Sequence, residues 1–455
     1  MSQSPPTEPT PVQDDRPRRR KRWPWVVGVI LVILATPLVI WWGWTMSLRS
    51  EISDRLDAIR AAGEPVTLAE LDAWYPTPEG ENAADHYSAA FNLMVEDEAL
   101  EARLPGIGMT AEGMPVDWPA FDVPVSPQML DAMRQYVDKN AEALAGLHEA
   151  AAIGQSRYPI DLTQGMMTPL PALDRLRSAG RRLRQEAAVA AEDGRAGEAL
   201  QSTAAMLRLA RSLDEEPVLI SSLVRMSVDV MAIEALARVL ARTETTPEQV
   251  SQLEAHLRDA LGHRTFRRAM AGERATAMTF FGKESINLAP MGGPNTAIPR
   301  VPGFTDRDQL EYLRLSEMGL KVLDDPGNPP DLSAQIKDLP RYCLITQLVL
   351  PATDAAARTE LQHEAQMRAA LAGLAVKRYQ LENGQLPQSL DALKPKYLNE
   401  IPTDPFDGKP LRYVVEDGAA KVYSIGKDLN DDGGVVFDAN GDRYAEGTDV
   451  VFRVK

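Results

Sequence analysis

The residues with the clearest chemical potential lie near the C-terminus, in the run Asp428-Leu-Asn430-Asp431-Asp432-Gly433. Oxygen-bearing side chains at alternate positions of a glycine-terminated loop suit a hard cation such as Ca²⁺. The run also fits the first six positions of an EF-hand loop. Position twelve, however, is Ala439 instead of a bidentate Glu, and no flanking helices are expected. The same residues serve ordinary turn chemistry, so a solvated turn without an ion is the alternative.

Other reactive residue types are scattered. His148-Glu149 and His363-Glu364 both lack the second His of a zinc-protease helix. Ser424-Ile-Gly-Lys427 has Ser-x-x-Lys spacing but sits against the acidic loop, without the companion motifs of that chemistry. His86 follows Asp85, and adjacent helix positions do not face each other. The one cysteine, Cys343, lies among Leu344, Ile345, Leu348 and Val349 and reads as a buried small hydrophobe. A single cysteine excludes an internal disulfide and any Cys-rich zinc or iron–sulfur centre. Arg177, Arg181 and Arg184 share a helical face, but Asp174 and Glu186 beside them make it an ordinary solvated one. No Gly-x-Ser-x-Gly, Walker or dinucleotide-binding motif occurs. These residues point to no catalytic centre. The alternative is an extracytoplasmic enzyme or ligand-binding protein, with its site between the helical region and the 281–304 loop.

The elements that must position these residues begin at a membrane. The chain has 455 residues and a net charge of −16, enough for one large or two to three ordinary domains. That acidity argues against nucleic acid as a partner, since phosphate binding needs a basic footprint. The charge is unevenly spread. Residues 1–50 carry +4 and residues 51–155 carry −15. Residues 1–22 form a Pro- and Ser-rich tail ending in Arg18-Arg19-Arg20-Lys21-Arg22, too polar to fold alone. Trp25 to Met46 carries no charge, and about 20 such residues cross the ~30 Å hydrocarbon core as a helix. Trp23 and Trp25 mark one interface, and Trp41, Trp42 and Trp44 the other.

A cleaved signal peptide would have a shorter apolar core followed by a small-residue cleavage site, and Trp-Trp-Gly-Trp-Thr-Met is a poor one. The expectation is an uncleaved, single-pass anchor in the cytoplasmic membrane. By the positive-inside rule its N-terminus lies in the cytoplasm and its bulk outside.

Beyond the span, helical patterns dominate to about residue 345. Glu51 to Arg60 continues out of the membrane, and Thr67-Leu-Ala-Glu70 reads as a capping box. Asn82 to Val95 is helical, residues 104–127 form a long loop, and Ser126-Pro127 starts a helix to about Ala152. A helix through Ala190, a turn at Gly194 and a helix from Glu198 to Leu213 form a hairpin. It is similar to one tetratricopeptide unit without a second copy. Pro217 to Ala241 reads as a buried central helix, and Thr246-Pro247 starts another to about Ala271. Residues 281–304 form a Pro- and Gly-rich loop, after which Thr305 to Asp308 caps a helix to about Leu323.

The C-terminal hundred residues change character. Ala352 to Glu382 reads as one long helix with a C-cap at Asn383-Gly384. Short β runs follow at 411–416, 421–425, 435–437 and 449–454. The order Tyr379, Asn383-Gly384-Gln-Leu-Pro387, Tyr397-Leu398, Pro402-Thr-Asp404-Pro405, Leu411-Arg-Tyr413, Ser424-Ile-Gly-Lys-Asp428, Gly433-Gly434 and Asp449 resembles the C-terminal domain of the type II secretion major pseudopilins. The Pro-x-Asp-Pro and Ser-x-Gly-x-Asp elements, in that order, carry most of its specificity.

The resemblance implies a calcium ion tying the loop together, and favours that reading over an EF-hand. Asp428, the carbonyl of Ile425 and the late Asp449 would be carried over as ligands, with Asn430 and Asp432 between them. The stretch from Gly434 to Asp449 is longer than the family's, and Asp438, Asn440 and Asp442 are alternative ligands. The apolar span also follows Arg-Lys-Arg-Trp without a pseudopilin leader, some 300 residues from the pilin-like helix. A processed filament subunit is therefore not expected.

The expected fold is mainly α, with a C-terminal α+β pilin-like domain of a long helix and a small antiparallel sheet. Its parts are the tail (1–22), the transmembrane helix (23–46), an extracytoplasmic helical domain (47–345) and the pseudopilin-like domain (350–455). The expected function is a non-catalytic scaffold or accessory protein of a secretion or envelope assembly, with proteins of that assembly as partners.

Overall fold

The computed structural model describes residues 23–109, 114–262, 264–282, 285–287, 297–321, 323–324, 332–435 and 448–455. The tail and the acidic stretch 436–447, with Asp438, Asn440 and Asp442, lie outside the described residues. The protein is mainly helical, with a small antiparallel sheet near its C-terminus.

A 39-residue helix, α1 (Trp23–Ala61), opens the described chain. Residues 25–40 of it are exposed. From Thr45 onward one face of it is buried, where Leu48, Ile52 and Ile59 enter a hydrophobic cluster. Short helices α2 (Leu68–Trp74), α3 (Ala83–Asn92) and α4 (Glu98–Glu101) follow. Thr67 caps α2 by accepting from the Glu70 N–H, while Glu70 reaches back to the Val66 N–H and not to that of Thr67. The expected capping box is thus displaced by one residue on its return side.

The helix expected from Pro127 to Ala152 is two, α5 (Pro127–Lys139) and α6 (Ala141–Ala150). The break falls at Asn140, whose side-chain oxygen accepts from the Val95 N–H and from buried Arg182 Nε, at 3.0 and 2.9 Å. Those distant partners outweigh helix continuity. Helices α7 (Ala172–Glu192), α8 (Ala196–Arg211) and α9 (Leu219–Arg242) then form the centre of the bundle, the first two joined through Gly194 at φ +73°.

A second expected helix also divides. Helix α10 (Pro247–Ala260) has a complete capping box at Thr246 and Gln249 but stops before Gly262, at φ +119°. Arg225 Nη2 from α9 donates to the Ala260 carbonyl at 2.8 Å, satisfying an end group the helix would otherwise leave open. Helix α11 (Arg264–Gly282) resumes beyond it. Strands β1 (Ser285–Asn287) and β2 (Ala297–Pro299) pair antiparallel, within a segment expected to be all loop.

Helix α12 (Phe304–Lys321) and the short α13 (Leu332–Lys337) lead to α14 (Leu344–Asn383), 40 residues long. Helix α14 starts eight residues before the expected Ala352 and runs through Pro351. The cause lies on α12. Buried Asp308 accepts from the Ile345 and Thr346 N–H groups at 3.0 and 3.1 Å, acting as the N-cap from another helix. Helix α14 ends as expected, with Gly384 left-handed at φ +71°.

Strands β3 (Arg412–Glu416), β4 (Ala419–Ser424) and β5 (Val450–Val454) form an antiparallel sheet in that order. Asp417 and Gly418 both have positive φ, which makes the two-residue β3–β4 hairpin turn. Phe452 of β5 packs so close to α14 that a Cβ on Gly373 would lie 2.3 Å from its ring. One buried cluster runs from α3, α6 and α7–α10 through α14 into this sheet. Helix α14 is therefore shared by the bundle and the sheet.

Candidate functional site

The first constellation surrounds the point where α1 enters the domain. Asp306, 1% exposed, gathers three donors: Gly303 N–H at 2.8 Å, Arg300 Nη2 at 3.0 Å and Arg49 Nε at 3.3 Å. One carboxylate thus ties the loop before α12 to the anchor helix. Gly303 is left-handed at φ +83° and lies so close to α1 that a Cβ there would be 2.7 Å from the Trp44 ring and 2.8 Å from Trp41 Nε1. The Phe304 ring meets Trp44 edge-on at 6.0 Å and Tyr342 at 4.9 Å. Thr305 and Asp308, expected to cap α12, have other tasks. The Thr305 hydroxyl accepts from Val301 N–H at 3.2 Å, and Asp308 caps α14.

The second constellation is a buried ion cluster between α9 and α14. His363 Nε2 lies 3.0 Å from Asp229 Oδ2, and His363 Nδ1 lies 3.7 Å from Glu360 Oε2. Arg225 Nη1 sits 3.5 Å from Asp229 and its Nε donates to Asp214 at 2.7 Å. All but Asp214 are buried. Burial alone would lower the His363 pKa, but the bond to Asp229 and the nearby Glu360 carboxylate outweigh it and raise it to about 9. His363 is an imidazolium at neutral pH and balances its carboxylate neighbours.

The third constellation holds the residues singled out in the acidic loop. Asp404, fully buried, accepts from Phe406 N–H at 2.9 Å, Ser424 Oγ at 2.7 Å, Ile425 N–H at 3.0 Å and Arg412 Nη1 at 2.5 Å. It fixes the end of β4, from which the loop departs. Ile425 is buried, Asp428 half-buried, and Asn430 and Asp432 exposed. Asp428 Oδ1 accepts from Asn430 N–H, closing a tight turn at 3.1 Å. Asp449 Oδ2 accepts from Gly434 N–H at 2.7 Å, while its buried Oδ1 has no hydrogen-bond partner. Burial raises the Asp449 pKa against the opposing pull of the Gly434, Asp432 and Val435 N–H groups. Among the described residues no three His, Cys, Asp or Glu side chains converge as a metal cage. The fit to a cation therefore rests on the unsatisfied Asp449 oxygen together with carbonyl and amide oxygens.

The remaining flagged residues make structural pairs. His148 Nε2 meets Glu186 at 2.8 Å, and His86 Nε2 meets Glu81 at 2.9 Å, not Asp85. Ser424 donates to Asp404, and Cys343 is fully buried. Arg184 pairs with Glu234 at 2.8 Å and stacks over Trp118. A cavity of about 750 Å³ opens between Thr77, Gln155, α8 and α10, and no described residue of 281–304 lines it. Several of its charges are paired, Arg211 with Asp214 and Asp259, and Glu215 with Arg264. Sequence reasoning missed Asp229, Asp306 and Asp404 as organising carboxylates. Only Asp404 carried a local signal, its place between two prolines.

No family model matches the chain, and neither a curated protein nor a solved structure matches it.

Proposed function

We propose that this protein is a single-pass, membrane-anchored scaffold of an extracytoplasmic assembly, with α1 as the anchor and the helical and C-terminal parts presenting partner surface. The observation that carries this reading is the continuity of α1. The same helix is apolar and exposed over residues 25–40, meets the domain at Trp41 and Trp44, and then enters the hydrophobic core with Leu48, Ile52 and Ile59. An apolar helix with no protein around it needs a lipid environment, and a domain built on its extension is held at that surface. The basic tail and the acidic 51–155 segment support an N-terminus in the cytoplasm and a bulk outside it.

The C-terminal order of long helix, Pro-x-Asp-Pro and three-stranded meander supports kinship with the type II secretion pseudopilins, and with it a role beside such an assembly. In this reading a calcium ion would bind the Asp449 oxygen and the Ile425 carbonyl and draw in Asn430 and the Asp428 and Asp432 carboxylates, which do not converge with Asp449 beforehand. It would cross-link the loop to β5 and take up the unpaired Asp449 oxygen. The scaffold is non-catalytic.

Photo-crosslinking in cells, from probes placed at exposed Gln388 and Glu400, tests the reading. Recovery of secretion or envelope components supports it. Crosslinks that contain no such component overturn it.

A further inference from the structure

We propose that the face of the domain around the exit of α1 is a second membrane contact, with Val301, Phe304, Tyr342 and Leu344 entering the interfacial layer of the bilayer. This rests on the reading of α1 as a membrane anchor and adds a lipid-binding surface to it.

Height comes first. Twenty residues of helix, 26–45, rise about 30 Å, the thickness of the hydrocarbon core. Thr45 therefore marks the outer hydrocarbon edge. Gly303 packs against Trp41, Trp44 and Thr45, and Phe304 against Trp44. The loop thus reaches the depth at which interfacial aromatic residues reside.

Rigidity comes second. Asp306 ties Arg300 and Gly303 to Arg49, and Leu48, Ile52 and Ile59 of α1 pack with α11, α12 and α14. The domain cannot swing away from the bilayer without unpacking that cluster, so this face stays at fixed height.

Composition comes third. Val301, Phe304, Tyr342 and Leu344 are 41, 42, 39 and 39% exposed, large apolar or aromatic side chains left open beside the span. The rings of Trp44, Phe304 and Tyr342 form a continuous aromatic ladder from the anchor to the domain surface. Exposed Arg341 adjoins the ladder, where a guanidinium can reach headgroup phosphates while its stem lies on apolar surface. Such a mixture of aromatic, aliphatic and basic groups suits a lipid interface.

The test reconstitutes the full chain in phosphatidylcholine vesicles that contain a lipid with a diazirine close to its ester carbonyls. After irradiation, adducts are mapped by peptide mass spectrometry. The expected result is labelling of 26–44 and also of 301–304 and 342–344, the latter several-fold above exposed Gln388 and Glu400. Labelling of 26–44 alone overturns the second contact and assigns the patch to a protein partner or a second copy, with the anchor left standing. Absence of labelling in 26–44 overturns the anchor reading itself, and this contact with it.

Discussion

His363 on α14 and Asp229 on α9 meet at 3.0 Å, joining two buried helices through residues 134 positions apart. With its pKa raised to about 9, His363 takes up a proton on folding that an ordinary histidine, near 6.5, releases well below that pH. The sign follows from this. The stabilisation is complete below about pH 6.5 and is lost as pH rises through about 9. At about 1.4 kcal/mol per pH unit, the loss approaches roughly 3 kcal/mol. Thermal melting should therefore fall steadily from pH 6.5 to pH 9. His363→Gln keeps a side chain able to bond Asp229 but no titrating charge, so it should melt lower at pH 6.5 and show a flatter slope. An unchanged slope in that variant would remove His363 as the cause.

The clamp at Asp306 should be costly to break. Asp306→Ala leaves the Gly303 N–H, Arg300 and Arg49 without their shared acceptor, a loss on the order of 2–3 kcal/mol. Gly303→Ala adds a Cβ at positive φ directly against Trp41 and Trp44, and should cost about 1–3 kcal/mol. Both variants should speed hydrogen exchange at 300–306 and in the second half of α1. Wild-type exchange at these positions in either variant would contradict the clamp.

Asp404 should govern the C-terminal sheet. Its carboxylate holds Phe406, Ser424, Ile425 and Arg412, so Asp404→Ala leaves the Ser424 hydroxyl and the Phe406 and Ile425 N–H groups without their acceptor in a buried place, while Arg412 keeps only Asp407 and Asp431. A loss of roughly 3 kcal/mol is expected, with hydrogen exchange rising in β4 and β5 before the bundle helices. Uniform exchange across the protein would show that Asp404 has no local role.

Calcium should stabilise the chain through Asp449. Millimolar Ca²⁺ should raise the melting temperature, since a ligand bound only by the folded state shifts unfolding by mass action. Asp449→Asn should abolish the shift while keeping an oxygen for the Gly434 N–H. No shift in the wild-type protein removes the ion from the account.

Local signals made much of the fold legible. Thr246-Pro247, Ser126-Pro127, Gly194 and Gly384 each announce a helix end within two residues of chain, and each end falls where those residues put it. Breaks governed by distant partners stayed hidden. Asn140 divides a helix because Val95 and Arg182 use its oxygen, and Asp308 extends α14 past Pro351 from a different helix. The same holds for the candidate sites. The acidic loop reads directly from its spacing. The Asp229–His363 pair and the Asp306 clamp arise only when α9 meets α14 and the loop before α12 meets α1.

The central claim is that α1 anchors a body lying wholly outside the cytoplasm. Cysteine labelling of the full chain in spheroplasts tests it most directly, using a membrane-impermeant maleimide and the native, buried Cys343 as an unreactive background. Glu400→Cys should be modified in intact spheroplasts and Ser4→Cys only after permeabilisation, with the protein remaining in carbonate-washed membranes. Labelling of Ser4→Cys but not Glu400→Cys in intact spheroplasts, or release of the protein by carbonate, would contradict the account.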